Sequence, residues 1–222
     1  MSRLIRHFEE NTKGCDFVVG DIHGCFTLLK DKLKNIGFDE SKDRLFSVGD
    51  LVDRGSESEQ CLEWLDKTFF FAVLGNHESM MIDYAINPEN NERHYFANGG
   101  NWTKSLSSDE LKKYAMAFQD LPLAVDIKTK DGLIGIVHAD PVLKDWNDLV
   151  EELGLGRIPP RLREELVWSR SRIFNMDRTE IKNVKSIYVG HSVVNRPCQL
   201  GNVNYIDTGA VFGLGLTILR IN

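Results

Sequence analysis

The chain of 222 residues is long enough for one large domain or two small ones, and its 42% hydrophobic and 27% charged residues exclude a disordered chain and imply a real core. With 27 Lys and Arg against 33 Asp and Glu, the net charge of -6 argues against gripping a nucleic-acid backbone, so no nucleic-acid partner is expected. The longest apolar run, Phe69 to Leu74, is far short of a membrane span, and Met1 to Glu10 holds no signal-peptide core, so a cytoplasmic protein with no membrane partner is expected.

In chain order, Phe17 to Gly20 is a continuous apolar run suited to a strand covered on both faces. Phe26 to Ile36 reads as a helix with Leu29, Leu33 and Ile36 on one face and Gly37 as its stop. Leu45 to Val48 is a second strand, and Ser56 with Glu59 reads as a capping box opening a helix through Cys61, Leu62 and Leu65. Phe69 to Leu74 is a third strand. This alternation is a parallel α/β beginning. Met80 to Ile86 is expected to be helical, and Asn98 to Asn101 a loop. Ser107 and Glu110 form a second capping box before Leu111, Tyr114, Ala115 and Phe118, with Pro122 ending that helix. Leu123 to Lys128 and Leu133 to Val137 read as a hairpin, and Pro159-Pro160 as a helix start before Leu162 and Leu166. The tail is β-rich at Ile187 to Val189, Val203 to Ile206 and Gly215 to Ile221. Two packed sheets with helices outside follow. Cys15, Cys25, Cys61 and Cys198 form no CxxC pair and are expected to be free, mostly buried thiols.

The chemistry sits where apolar runs stop. GDIHG (Gly20 to Gly24), GDLVDRG (Gly49 to Gly55) and GNHE (Gly75 to Glu78) each follow a predicted strand and present Asp21, Asp50 or Asn76 at its carboxyl end. Two later strands end in His138 and His191. Five strands delivering Asp, Asp, Asn, His and His to one edge make a metal site. Because these candidates run from residue 21 to residue 191, one domain over 1–222 is expected.

Carboxylate, imidazole and amide oxygen without a nearby thiolate suit manganese, iron or zinc. More than four ligands implies two divalent ions bridged by an Asp, roughly 3.5–4 Å apart, activating a shared water against a phosphate ester. His77 is the candidate general acid, with Asp53 to orient it and keep it protonated near neutrality. Arg54 and Arg170 are candidate phosphate contacts. Each residue also has a plainer reading. Asp21, Asp50 and Asn76 could cap turns or helices, His138 and His191 could be core histidines, Asp53 and Arg54 a surface ion pair, and Arg170 or Arg172 part of a solvated helix face. The four tryptophans read as packing residues, His7 and His94 as structural or surface, and Glu78 as a residue that orients a neighbour.

The three motifs resemble the signature of the phosphoprotein phosphatase family of metal-dependent serine/threonine phosphatases. VHAD (Val137 to Asp140), VWSR (Val167 to Arg170), YVGH (Tyr188 to His191) and YIDTGAVFG (Tyr205 to Gly213) resemble more narrowly its small bacterial and bacteriophage lambda-type members. The resemblance implies an α/β fold, a calcineurin-like metallophosphoesterase of two packed mixed β-sheets flanked by helices. It implies Asp21, His23 and Asp50 on one ion and Asp50, Asn76, His138 and His191 on a second, commonly manganese. His77 with Asp53 would be the acid pair, and Arg54, Arg170 and the Asn76 amide would contact phosphate. The implied activity is hydrolysis of phosphoserine, phosphothreonine and perhaps phosphotyrosine in proteins or peptides, in a bacterial or phage-host cytoplasm. Attack would be direct, by metal-bound hydroxide, since no nucleophilic Cys, Ser or Asp stands beside the site. Two other readings are a dinucleoside tetraphosphate hydrolase, whose motifs are similar, and a silent phospho-binding module, which would be expected to have lost a ligand. The sequence leaves the oligomeric state open.

Overall fold

The computed structural model of the protein describes residues 4–222, so the first three residues of the expected 1–222 domain lie outside it. One sheet has the order β10-β2-β3-β4, from β2 (Asp16–Val19), β3 (Arg44–Ser47), β4 (Phe70–Ala72) and β10 (Ile218–Arg220). Its first three strands in sequence run parallel, with Phe17 opposite Leu45 and Leu45 opposite Phe70. The chain's last strand returns antiparallel onto β2. The second sheet has the order β1-β5-β6-β7-β9-β8, from β1 (Ile5–Phe8), β5 (Ala124–Thr129), β6 (Gly132–Val137), β7 (Ser186–Val189), β8 (Cys198–Leu200) and β9 (Val203–Tyr205). The expected hairpin is β5 and β6, paired from Ala124–Val137 to Thr129–Gly132.

Strand alternation explains why the early runs are apolar throughout. Val18 and Phe46 belong to an inter-sheet cluster with Val125, Ile127, Ile134 and Ile136. Their neighbours Val19 and Leu45 belong to the larger cluster that contains the helices' buried residues Leu29, Trp64 and Phe118. Each sheet is therefore covered on both faces.

Helices α1 (Phe26–Asn35), α5 (Ser108–Gln119) and α7 (Pro160–Trp168) form where expected, with Ser107 and Glu110 closing the capping box on α5. The other expected capping box is absent. A 3-10 turn spans Ser58–Gln60 and α2 is only Cys61–Leu65, neither with a side-chain cap, so Ser56 lies in the turn before both and Glu59 inside the first. Helix α3 (Asn76–Ile86) starts four residues before Met80, at a ligand candidate. The elements α4 (Pro88–Ala97), a 3-10 turn at Gly100–Ser105, α6 (Trp146–Gly154), the short α8 (Ser171–Phe174), β1 and β8 add to those expected. All four thiols are free, but only Cys61 is buried, and Cys198 is exposed on the edge strand β8. Among the described residues no helix is long and apolar enough to cross a membrane.

Candidate metal centre

Asp21, Asp50, His138 and His191 follow β2, β3, β6 and β7, and Asn76 opens α3, so the site gathers at the carboxyl edge of both sheets. The backbone is held in unusual conformations there: His23, Asp50, Asp53, Arg54 and His191 all have positive φ, between 44° and 71°. Two glycines permit close approach. A Cβ on Gly190 would lie 1.9 Å from Asp21 Oδ1, and one on Gly75 2.3 Å from Asp50 Oδ1.

Asp50 is the centre of the arrangement. Its Oδ1 lies 3.3 Å from His138 Nε2 and its Oδ2 3.5 Å from His23 Nε2. Oδ1 also receives the His77 backbone N–H at 3.1 Å, from the first turn of α3. Two compact groups of candidate ligands share it, one of His23, Asp50 and His77, the other of Asp50, His138 and His191. Asn76 Oδ1 joins the second group, 2.9 Å from both His138 Nε2 and His191 Nδ1. Asp21 stands outside both groups and accepts the His191 backbone N–H, at 3.0 Å to its nearer oxygen.

Each histidine is aimed by a bond at its other nitrogen. His23 Nδ1–H donates to the Val52 carbonyl at 2.8 Å, His138 Nδ1–H to the Val48 carbonyl at 2.7 Å, and His191 Nε2–H to the Trp168 carbonyl at 3.0 Å. His77 Nδ1 meets Asp53 Oδ2 at 2.7 Å, and its buried Nε2 has no hydrogen-bond partner and faces Asp50 Oδ2 at 3.9 Å. Glu78 holds the Asp50 loop by accepting the backbone N–H groups of Gly75, Asp50 and Leu51.

The electrostatics suit bound cations. Burial, then the His77 and Arg54 charges, push His23 down to about 3, and burial with His138 pushes His191 to about 3, so both rings are neutral and able to ligate near pH 7. Burial opposes charge on Asp50, but His138, His77 and His23 outweigh it and keep the carboxylate ionised. Burial also opposes charge on His138, where Asp50 wins and the value rises. Burial, then Asp207 and Asp50, raise Asp21, and burial with Asp50 lifts Glu78 to about 7. Crowded carboxylates, neutral imidazoles and the Asn76 amide oxygen fit two divalent ions through nitrogen and oxygen donors.

The expected phosphate contacts lie at the rim. Arg54 Nη1 donates to His23 Nε2 at 2.7 Å, and Arg170 Nη2 donates to the His191 carbonyl at 3.2 Å. Arg172 is buried and structural instead, donating to the carbonyls of Asp177 and Thr179 at 3.1 and 2.8 Å. Asp140 Oδ2 accepts the Arg172 backbone N–H at 3.0 Å and so ties the loop after His138 to the loop carrying Arg170. Two further residues escaped the sequence reading: Tyr95 Oη–H and Trp102 Nε1–H both donate to Asp53 Oδ1, at 2.9 and 2.7 Å. Trp102 is therefore more than a packing residue. His7 pairs with Asp126 at 2.8 Å, away from the ligand groups.

Residues 17–207 match the family described as calcineurin-like phosphoesterase. The chain is 36% identical over 210 residues to serine/threonine-protein phosphatase 1 of Salmonella typhimurium strain LT2, covering 92% of this chain and 91% of that one. It is 40% identical, but over only 81 residues, to a symmetrical bis(5'-nucleosyl)-tetraphosphatase of Coxiella burnetii, covering 35% of this chain and 28% of that one. Among solved structures, a protein serine/threonine phosphatase from Saccharomyces cerevisiae superposes with a TM-score of 0.65 at 22% identity, covering 93% of this chain and 71% of that one.

Proposed function

The chain belongs to the calcineurin-like phosphoesterase family, a hydrolytic fold, and from that premise we propose that it is a metal-dependent protein phosphatase acting on phosphoserine and phosphothreonine, with phosphotyrosine as a further substrate to be tested. The observation that carries the chemistry is the position of Asp50, within reach of His23 on one side and His138 on the other, with His77 Nε2 facing it. The near full-length likeness to a protein phosphatase, against a local likeness to a tetraphosphatase, favours a phosphorylated protein or peptide as substrate. The bacterial relative supports a cytoplasmic setting.

In this reading Asp21, His23 and Asp50 hold one ion and Asp50, Asn76, His138 and His191 the other. Manganese is the proposed metal, and iron and zinc suit the same donors. When bound, the ions would lower the pKa of a water and neutralise phosphate oxygens. The protein's own groups do the rest. Asp53 fixes the His77 ring so that Nε2 carries the proton given to the leaving oxygen. Arg170 and the Asn76 amide bind phosphate oxygens. Arg54 Nη1 takes the His23 Nε2 lone pair that a bound ion would need, so with an ion held there the guanidinium would be available to the phosphate.

The dinucleoside tetraphosphate reading rests on the local 81-residue likeness. Rates on a phosphoserine peptide and on diadenosine tetraphosphate, measured with the same manganese-loaded protein, separate the two. Faster phosphate release from the peptide supports the proposal, and preferential cleavage of the dinucleotide overturns it.

A further inference from the structure

We propose that Tyr95 and Trp102 are positioning residues for the reaction, holding Asp53 so that it aims His77. This rests on the phosphatase reading for its kinetic test but on geometry for its argument. Asp53 is fully buried, and a buried carboxylate needs a donor at each oxygen. Oδ2 has His77 Nδ1–H at 2.7 Å, and Oδ1 has Tyr95 Oη–H at 2.9 Å and Trp102 Nε1–H at 2.7 Å. Two donors converging on one oxygen fix the rotation of the carboxylate about its Cβ–Cγ bond. The other oxygen is thereby presented to His77, whose Nε2 has no partner of its own.

The two donors are themselves held. The Tyr95 ring stacks on Tyr84 at 5.2 Å and packs so closely on Gly100 that a Cβ there would lie 2.4 Å from it. Trp102 meets Tyr114 edge-on at 5.1 Å, and Tyr114 Oη–H donates to the Glu59 carbonyl at 2.8 Å. The segment between them grips the neighbouring residue as well. Gly99, at φ 105°, accepts the Arg54 backbone N–H at 3.2 Å, and a Cβ on it would lie 2.7 Å from Arg54 Cγ. Residues 95–102 thus brace both Asp53 and Arg54, each in a left-handed conformation that needs support from its surroundings.

A structural role alone would merely stabilise the fold, so the test must read proton transfer. Tyr95→Phe removes a donor at nearly constant ring volume, and Trp102→Phe and the double variant remove donors while keeping an aromatic ring at position 102. Each is compared with wild type, loaded with manganese, on phenyl phosphate, whose leaving oxygen needs a proton, and on p-nitrophenyl phosphate, whose leaving group departs as the anion. The expected result is a fall of about tenfold or more in kcat on phenyl phosphate in the double variant. The fall on p-nitrophenyl phosphate should be much smaller, with KM and metal stoichiometry unchanged. An equal fall on both esters, or none on either, overturns the proposal. Should the double variant not fold, Trp102→Phe carries the test, since Tyr95 still donates to Oδ1.

A wild type that hydrolyses neither ester would instead defeat the phosphatase reading. The positioning claim is then decided by the nitrogen-15 spectrum of His77 in zinc-loaded protein. A His77 Nδ1–H held in its hydrogen bond to Asp53 in wild type, with that signature lost in the variants, supports it. An unchanged spectrum refutes it.

Discussion

The Glu78 carboxylate receives the backbone N–H of Asp50 at 2.9 Å, together with those of Gly75 at 2.9 Å and Leu51 at 2.8 Å. One buried side chain on α3 thus fixes the loop that presents the shared candidate ligand. Glu78→Ala would orphan three buried donors, each costing about 1–3 kcal/mol. We expect a loss of at least about 3 kcal/mol in denaturant unfolding. Glu78→Gln, which keeps one acceptor oxygen, should lose less, and an undiminished stability in Glu78→Ala would show that the carboxylate does not organise the loop.

Metal removal should make stability depend on pH in a particular direction. Glu78 rises in the folded, metal-free protein from 4.5 to about 7, by burial first and Asp50 second. A carboxyl raised on folding favours the native state below its unfolded value, and that contribution disappears as pH climbs through the folded value. Metal-free protein should therefore lose stability between about pH 4.5 and 7. Adding manganese near pH 6 should release protons, because bound cations favour ionised carboxylates. Calorimetry in buffers of different ionisation enthalpy reads that release, and none detected would contradict the cluster's electrostatics.

Asp50→Asn tests the sharing of one carboxylate by both ligand groups. Loss of the bridging charge should weaken both sites, taking bound manganese well below two ions per chain by mass spectrometry. A variant that retains two ions would show that the groups fill independently of Asp50.

The two arginines after Trp168 should separate cleanly. Arg170 reaches the His191 carbonyl at the rim, and Arg172 is buried against the Asp177 and Thr179 carbonyls. Arg170→Ala should raise KM or lower kcat about tenfold or more with little change in Tm. Arg172→Ala should lower Tm instead. The reverse pattern would exchange their roles.

The candidates Asp21, Asp50, Asn76, His138 and His191 stood out because each ends an apolar run, while His23 carries no such mark, and the two-sheet fold was legible because its strands are covered on both faces. Helix α4 left no such mark, since Tyr95 is its only buried residue and no apolar stripe forms. Strand β1 hid for a similar reason, with Arg6 and His7 exposed between a buried Ile5 and a half-buried Phe8. The false capping box at Ser56 arose because the chain enters α2 through a 3-10 turn at Ser58–Gln60 that contains Glu59, a geometry the Ser-to-Glu spacing does not distinguish. Tyr95 and Trp102 lie 42 and 49 residues from the carboxylate they hold, so only the folded chain reveals them.

The most direct measurement of the central claim is phosphate release from a phosphoserine peptide by metal-stripped protein reconstituted with manganese, with His77→Asn beside it. The site predicts rapid, manganese-dependent release in wild type and a fall of about a hundredfold or more in the variant. A folded, metal-loaded wild type that releases no phosphate would contradict the protein-phosphatase assignment, and a His77→Asn variant as fast as wild type would contradict the acid.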